Sequence, residues 1–251
     1  MRPDFNDAMK KNIDKDSYGK GLLAYWNGKH KAKFTVYSDL ADTEKWDIST
    51  FFRKYEEMPQ AERIALSRCK GKILDVGAGA GSHALWLQEN NFQVEAIDIS
   101  EGAVEVMNAR GIGNVQLKDF FAMNGEKYDT LLLMMNGAGI VQRIERFPEF
   151  FSKAKDLLNA GGKIIMDSSN IIYMFMEEDG SALIDLNAGY YGEMEYRMDF
   201  ESTKGSYFDW IFIDFDTLAE LAAQSGFLCE KIYEDEHYLY LAELTLKPES
   251  V

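Results

Sequence analysis

One segment in the first third of the chain, KILDVGAGAGSHALWL over residues 72–87, constrains the fold more than any other. Its pattern predicts a buried strand, a turn in which glycines alternate with alanines, and a helix. Gly77, Gly79 and Gly81 carry no side chain, so the backbone of this turn can approach a neighbouring element or a ligand closely. In open α/β sheets, ligands bind beyond the carboxyl ends of the strands, which is where such a turn lies.

Short apolar strands alternate with helical segments around this turn. Parallel strands joined through helices are covered on both faces, so the alternation predicts a doubly wound α/β sheet. The predicted helices cover 58–71, 82–90, 101–111 and 147–162, and the predicted strands cover 72–76, 94–99, 115–119, 128–135 and 163–169.

The alternation breaks after the fifth strand, over residues 171–213. This stretch leaves the same edge of the sheet as the glycine turn and is too long for an ordinary connection, so we expect part of a substrate lid there. Its second half alternates like a β-hairpin. The predicted hairpin strands cover 193–202 and 207–215 around a turn at 203–206, a helix follows over 216–227, and two mutually antiparallel strands over 228–246 close the sheet.

The residues before the sheet have a different character. We expect a helical N-terminal extension over 1–57, followed by the α/β domain over 58–251 with its insert. The extension carries Tyr18, which could help to close the site from the other side. Residues 51–54 (FFRK) are interpreted as a helix face rather than a ligand clamp.

The turn and the strand ends suggest what the site binds. The helix that begins near Ser82 points free N–H groups at the turn, which favours an anionic group. Asp98 ends the second strand, where a carboxylate can accept hydrogen bonds from ribose hydroxyls. These features predict a nucleoside-containing ligand. The alternative is that the turn serves only the tight packing of the strand against the helix. A dinucleotide fingerprint would need a glycine where Ser82 stands. His83 is interpreted as a solvated or capping residue.

Four stretches in register resemble the class I S-adenosylmethionine-dependent methyltransferases: ILDVGAGAGSH (73–83), VEAIDIS (94–100), LKDFF (117–121) and YDTLLLMMNG (128–137). The resemblance extends over about 58–170 and 214–246. It implies a Rossmann-like sheet of seven mostly parallel strands with an antiparallel last strand. It also implies S-adenosylmethionine (SAM) as cofactor and S-adenosylhomocysteine (SAH) as product.

The resemblance assigns binding roles by position. The methionine part of SAM would lie on Gly77, Ala78, Gly79 and Gly81, with Asp75 anchoring the loop and reaching the amino group. Asp98 would bridge the ribose hydroxyls, Ile99 and Asp119 would contact adenine, and Phe120 would donate its backbone N–H. Asn136 and Gly137 would face the sulfonium and the acceptor. No catalytic residue is assigned, since a base is needed only if the acceptor arrives protonated.

The expected substrate is a small molecule that accepts the methyl group on O, N or S. Four residues of the insert could wall its pocket: Tyr191, Tyr207, Asp209 and Trp210. Two other functions remain open, a non-catalytic nucleoside-binding module on the same fold and an NAD(P)-dependent oxidoreductase.

Composition excludes several partners. The formal net charge of −15 disfavours nucleic acid, because the densest basic run, over 28–33, is short. The longest apolar run, LLLMM, is far shorter than the ~20 residues that span a bilayer, so no membrane is expected. Two cysteines without a disulfide framework fit the cytoplasm, and three histidines without paired spacing predict no metal. The oligomeric state stays open.

We expect the protein to bind SAM and SAH but not NAD, because the turn lacks the dinucleotide spacing while Asp98 and Asp119 stand at matching strand ends. Isothermal titration calorimetry with the three compounds checks this expectation. Micromolar binding of NAD without binding of either sulfur compound would overturn it.

Overall fold

The computed structural model describes residues 16–177, 179–184 and 189–248. These residues form two β-sheets with helices packed around them. The helices are α1 (Ser17–Trp26), α2 (Gln60–Arg68), α3 (Ser82–Glu89), α4 (Glu101–Ala109), α5 (Phe147–Leu157) and α6 (Phe215–Gln224). Residues 1–15 of the expected extension, and 178 and 185–188 of the expected insert, lie outside the described residues, as do 249–251.

The larger sheet has seven strands and forms the frame of the molecule. Its strands are β3 (Lys72–Val76), β4 (Gln93–Asp98), β5 (Val115–Leu117), β6 (Tyr128–Leu133), β7 (Leu158–Ser169), β10 (Phe227–Glu234) and β11 (Leu239–Leu246). They lie in the order β10-β11-β7-β6-β3-β4-β5. All neighbouring pairs from β7 to β5 are parallel, and β11 runs antiparallel to both β7 and β10. The doubly wound, mostly parallel fold with an antiparallel last strand is confirmed.

The central strands are apolar because both of their faces are covered. Ile73 and Leu74 of β3 point to opposite faces, and neither is exposed to solvent. Leu74 belongs to the cluster packed under α5 and α6, whereas Ile73 belongs to the cluster under α2 and α3. Since β3 lies in the middle of the sheet, the turn that follows it is held by strands on both sides.

The second sheet corrects the expected helical extension. Residues 1–57 are helical in Ser17–Trp26, but two strands follow, β1 (Lys33–Ser38) and β2 (Glu44–Asp47). The hairpin is confirmed as β8 (Glu193–Asp199) and β9 (Phe208–Ile211). The four strands lie in the order β2-β1-β8-β9. The hairpin therefore does not extend the main sheet: β8 pairs with β1 in the middle of a separate sheet.

The sequence pattern did not predict these strands because the strand that pairs with β1 is distant in sequence. Phe34 and Val36 alternate with polar residues, which is a strand pattern, but a short strand forms only where a partner pairs with it. That partner is β8, through Val36 opposite Met198 and Tyr37 opposite Arg197. The inner face of the second sheet then packs on α1 and α4 as a third apolar cluster around Leu22 and Phe34.

One helix ends earlier than its pattern predicts. Helix α5 ends at Leu157 rather than at residue 162, and β7 begins at once with Leu158. Leu158 lies opposite Tyr128 of β6, so pairing with the main sheet replaces the last predicted helical turn. Across the described residues, no helix combines the length and the apolar character needed to cross a membrane.

Helix α1 is attached to the main domain by the residue that caps it. Asp16 accepts a hydrogen bond from the Gly19 backbone N–H at 2.7 Å, which is the capping contact. It also accepts from the Ser100 hydroxyl at 2.8 Å and from the Gly102 N–H at 3.2 Å, both at the start of α4. One carboxylate thus joins the two helix starts.

We expect Asp16→Ala to lower the free energy of unfolding by about 1–2 kcal/mol, because it removes the cap and two bonds to α4. Asp16→Asn is the matched control, since it keeps a capping oxygen and should lose less. Urea unfolding followed by circular dichroism measures both. Equal stability of the alanine variant and the wild type would contradict the attachment.

Candidate functional site

A cavity of about 1000 Å³ lies between the two sheets, at the carboxyl ends of the parallel strands. Its floor is the glycine turn after β3 together with the ends of β4 and β6. Its roof is the second sheet, which contributes aromatic and apolar side chains. The roof residues include Val36, Trp46, Tyr196, Met198, Phe208 and Trp210. We call this space the main cavity.

The structure brings most of the predicted site residues to the main cavity. Ten of the eleven predicted cofactor residues line it: Asp75, Gly77, Ala78, Gly79, Asp98, Ile99, Asp119, Phe120, Asn136 and Gly137. Gly81 does not. Of the four insert residues, Asp209 and Trp210 line the cavity, whereas Tyr191 and Tyr207 do not. Tyr191 instead donates to Asn170 at 2.9 Å, and Tyr207 is 56% exposed and accepts from Arg197.

The glycine turn combines two different roles. Gly77 and Gly81 both have positive φ, 67° and 79°, which non-glycine residues adopt only with strain. A Cβ at Gly77 would meet nothing closer than Ile140 at 3.9 Å, so this glycine leaves room toward the cavity. A Cβ at Gly81 would lie 2.3 Å from the Ile112 side chain, so Gly81 serves packing. Its predicted role as a ligand contact stays a prediction.

Asp98 connects the turn to the next strand end. One carboxylate oxygen accepts from the Gly79 N–H at 2.8 Å and the other from the Ser100 N–H at 2.8 Å. Burial raises the pKa of Asp98 against the opposing effect of these two bonds. A carboxylate has about four lone-pair sites, so acceptor capacity remains on both oxygens for a ligand.

A buried group of charged residues lies at the inner end of the cavity. Glu62 of α2 pairs with Arg53 through one oxygen and with His83 Nε2 at 2.9 Å through the other. His83 is buried, which corrects its interpretation as a solvated residue. Burial opposes protonation of His83, but the bond to Glu62 and the charge of Asp75 outweigh it and raise its pKa. Arg53 lines the cavity, so FFRK is not merely a helix face.

Asp75 has a carboxylate oxygen that no other group of the described protein binds. It is 2% exposed, and its Oδ2 has no hydrogen-bond partner among the described residues. Burial raises the pKa of Asp75 to about 6, despite the opposing effects of His83 and the Ala84 backbone N–H. Arg53 Nε is likewise buried without a partner. Unpaired buried polar atoms are costly, so two of them lining one cavity indicate a polar ligand with both signs of charge.

The outer end of the floor is apolar with one carboxylate. Ile99 lines the cavity with 74% of its surface exposed, which is unusual for a large aliphatic residue. Asp119 accepts from the Phe121 N–H at 2.9 Å through Oδ1, and Phe120 is buried beneath it. This end can therefore cover a flat apolar group and accept a hydrogen bond at its edge.

The third strand end is held by side chains of β7 and by a backbone carbonyl of β9. Asn136 is in the left-handed region at φ 58°, and its amide donates to the Ile211 carbonyl at 3.1 Å. The Ser168 hydroxyl donates to the Asn136 oxygen at 2.9 Å, and Gly137 N–H donates to Asp167 at 2.9 Å. Asn136 thus ties the loop after β6 to the strand that carries the roof.

The roof is fastened to the floor at one edge by an ion pair. Arg143 donates to both Asp209 oxygens, at 2.9 Å and 2.7 Å, and to Glu193 at 3.2 Å. Trp210 packs directly on Gly139, where a Cβ would lie 1.9 Å from the indole. Asp209 thus lines the cavity while it holds Arg143 at the edge of the roof.

Several cavity residues were missed by the sequence patterns. Trp46 forms part of the roof, and Glu62 organises the inner end, whereas Tyr196 and Phe208 lie in the segment that was expected to form a lid. Tyr18 was expected only to help close the site, but its hydroxyl lies directly over Gly79, 2.6 Å from where a Cβ would stand. Burial, with Asp98 and Asp16 nearby, raises the Tyr18 pKa, so the hydroxyl stays neutral and can donate. Over the described ranges, no cluster of three or more His, Cys, Asp or Glu side chains could hold a metal.

Comparisons with known proteins agree on one family. A family model described as a methyltransferase domain matches residues 68–224. By structure, the chain is similar to a SAM-dependent methyltransferase from Bacteroides fragilis, crystallised in complex with SAH. The two share 42% sequence identity and a TM-score of 0.89, over 94% of this chain and 97% of that one.

More distant similarities bear on the fold. The CcbJ methyltransferase from Streptomyces caelestis has 13% identity and a TM-score of 0.61, over 92% of this chain and 98% of that one. A curated relative, the biotin biosynthesis bifunctional protein BioHC of Saccharophagus degradans, is 25% identical over 177 residues. The match covers 67% of this chain but only 28% of that relative, so the chain spans less than a third of its length.

We expect Gly77→Ala and Gly81→Ala to differ in their cost to stability. Both add strain at positive φ, of about 1–2 kcal/mol, but only Gly81→Ala also forces a methyl group into Ile112 and Met107. Gly81→Ala should therefore lower the free energy of unfolding by about 1–3 kcal/mol more than Gly77→Ala. Urea unfolding of the two variants measures the difference, and equal losses would contradict the assigned roles.

Proposed function

The chain belongs to the methyltransferase-domain family, and on that premise we propose that it transfers a methyl group from SAM to an O, N or S nucleophile of a small molecule. The observation that carries the proposal is the main cavity. It combines a glycine turn at a strand end, two unpartnered buried polar atoms of opposite charge type, and an aromatic roof. The residue roles below belong to the same proposal.

The inner end of the cavity fits the amino-acid part of SAM. An ammonium group needs an acceptor, and Asp75 Oδ2 is a buried acceptor without a partner. A carboxylate needs donors, and Arg53 Nε is a buried donor without one. Glu62 and His83 would hold Arg53 and the start of α3 in place. Gly77 would let the backbone approach the ligand, as its open Cβ position allows.

The outer end of the cavity fits a nucleoside. Asp98 retains acceptor capacity for two ribose hydroxyls while its bonds to Gly79 and Ser100 keep it fixed. The exposed face of Ile99 would be covered by the adenine ring, which removes apolar surface from water. Asp119 and the Phe120 backbone N–H would bind the edge of the ring. Tyr18 would close the site above Gly79.

Bound SAM would supply an electrophilic methyl group on a sulfonium. The protein's own contribution is orientation, since holding acceptor and methyl group in line is worth about 7–11 kcal/mol of the barrier. Asn136 and Gly137 lie where the loop after β6 meets the roof, next to Trp210. We assign the described part of 1–57 and the 171–213 insert to the lid, because together they form the second sheet.

A small acceptor fits this arrangement better than a polymer. The roof leaves a cavity of about 1000 Å³, at the upper limit of the size that small-molecule sites commonly have. The net charge of −15 repels phosphate-rich chains. The alternative, a non-catalytic nucleoside-binding module, differs from this proposal only in that it would bind SAM without transferring the methyl group.

Turnover is the deciding experiment. The protein is incubated with SAM and a fractionated metabolite extract, and SAH and new methylated products are followed by mass spectrometry. We expect SAH to form only in the presence of active fractions. Tight SAM binding with no SAH formation in any fraction would favour the non-catalytic module.

We expect the affinity for SAH to increase with pH between about 5 and 7. Asp75, with a pKa of about 6, is largely neutral below that pH and must release its proton to pair with the ligand ammonium. The ligand's amino group stays protonated over this range, since its ordinary pKa is about 7.7–8.0. The dissociation constant should thus fall by up to tenfold per pH unit below about pH 6 and level off above it.

The matched variants are Asp75→Asn, which should bind weakly with a flatter pH profile, and Glu95→Gln. Glu95 is also buried, but it contacts Tyr128, Asn114 and Gln116 outside the cavity. Calorimetry at several pH values, in two buffers of different ionisation enthalpy, also counts the protons released. A wild-type slope in Asp75→Asn would refute the pairing.

A further inference from the structure

A second cavity lies against the back of the roof. It has a volume of about 210 Å³, below the roughly 300–1,000 Å³ of sites for drug-sized ligands, so it suits one small group. It shares Val36, Trp46, Tyr196 and Phe212 with the main cavity. Its other walls come from the segment between β1 and β2 and from the residues after β7, including Tyr173. We call it the side pocket.

Aromatic rings form much of its wall. The Tyr196 ring centroid lies 6.3 Å from those of Trp46 and Phe212, and the ring stacks on Phe208 at 6.2 Å. Trp46 is 37% exposed and Tyr173 is 50% exposed, so part of this aromatic surface is open to a ligand. Ring faces carry negative partial charge and attract cations within about 6 Å.

The charges around the side pocket have one sign. Among the described residues that line it, the charged ones are Asp42 and Glu44, and none is Lys, Arg or His. Glu44 accepts from the Trp46 indole N–H at 2.7 Å, which orients the ring beside the carboxylate. Asp39 lies close by, where it accepts from the Glu195 N–H at 3.0 Å.

Neighbouring cations are already engaged elsewhere. The Lys45 ammonium donates to the Thr35 hydroxyl, and Arg197 pairs with Asp199 while it stacks between Tyr37 and Tyr207. Neither Lys45 nor Arg197 makes its contact with Asp42 or Glu44. Burial and the charge of Glu44 raise the pKa of Tyr196 to about 12, consistent with this negative environment.

We propose that the side pocket binds the ammonium group of a small organic cation, held by the faces of Trp46, Tyr173 and Tyr196 and by the carboxylates of Asp42 and Glu44. Aromatic walls combined with carboxylates are the chemistry that recognises alkylated ammonium groups. None of the residues assigned to the cofactor lines the side pocket, and Asp42, Glu44 and Tyr173 line it without lining the main cavity.

The test compares two probes of equal shape, choline and its neutral carbon analogue 3,3-dimethylbutan-1-ol. Saturation-transfer NMR titrations with the full chain, in the presence and absence of SAH, measure both. We expect choline to bind at least tenfold more tightly than the alcohol, with SAH leaving its affinity unchanged. Equal binding of the two probes, no binding of choline up to about 20 mM, or displacement of choline by SAH would each overturn the proposal.

Matched variants locate the site. Glu44→Gln and Trp46→Leu should each weaken choline binding by at least about threefold. Both variants replace exposed residues of an edge strand, so the fold should persist. Glu195→Gln removes the same charge beside Tyr196 from a residue that does not line the pocket, and should leave the affinity unchanged. Equal losses in Glu44→Gln and Glu195→Gln would show a net-charge effect and no site.

A direct measure of SAH affinity separates this test from the proposed function. If SAH binds and choline does not, the side-pocket proposal fails and the methyltransferase proposal stands. If choline binds to the wild type and its binding weakens in Glu44→Gln but not in Glu195→Gln, while SAH does not bind, the reverse holds.

Discussion

The Asp98 carboxylate is the interaction on which the site depends. It holds the Gly79 N–H of the turn after β3 and the Ser100 N–H after β4, so two adjacent strand ends keep one geometry. Ser100 in turn donates to Asp16, which caps the N-terminal helix. A single hydrogen-bonded path therefore runs from the glycine turn to the segment that covers it. Because each bond involves a carboxylate, the path is stronger than one made of neutral groups.

The second sheet decides what the cavity can admit. Its central pair, β1 and β8, joins the N-terminal segment to the insert after β7, so the roof forms only when both segments have reached the main domain. Asn136, Arg143 and Trp210 then fasten the roof to the loop after β6. Strand β9 therefore links the position of the roof to the access of a methyl acceptor to the cavity.

Stability and binding oppose each other at the inner end of the cavity. Asp75 is buried with an unsatisfied oxygen, and the Nε atom of Arg53 is buried without an acceptor. In the free protein both cost stability, because neither group has the partners that water would supply. A zwitterionic ligand satisfies both, so binding would stabilise the folded state as well as position the ligand.

The sequence by itself determined the main sheet and most of the floor of the cavity, because strand periodicity, the glycine turn and Asp98 are local features. It could not separate the packing role of Gly81 from the open role of Gly77, since that depends on Ile112 and Met107. Only the tertiary structure decided that β1 and β2 are strands, that β8 of the hairpin pairs with β1, and that His83 is buried against Glu62. The physical reason is that short strands and buried charges depend on distant partners, which no local pattern specifies.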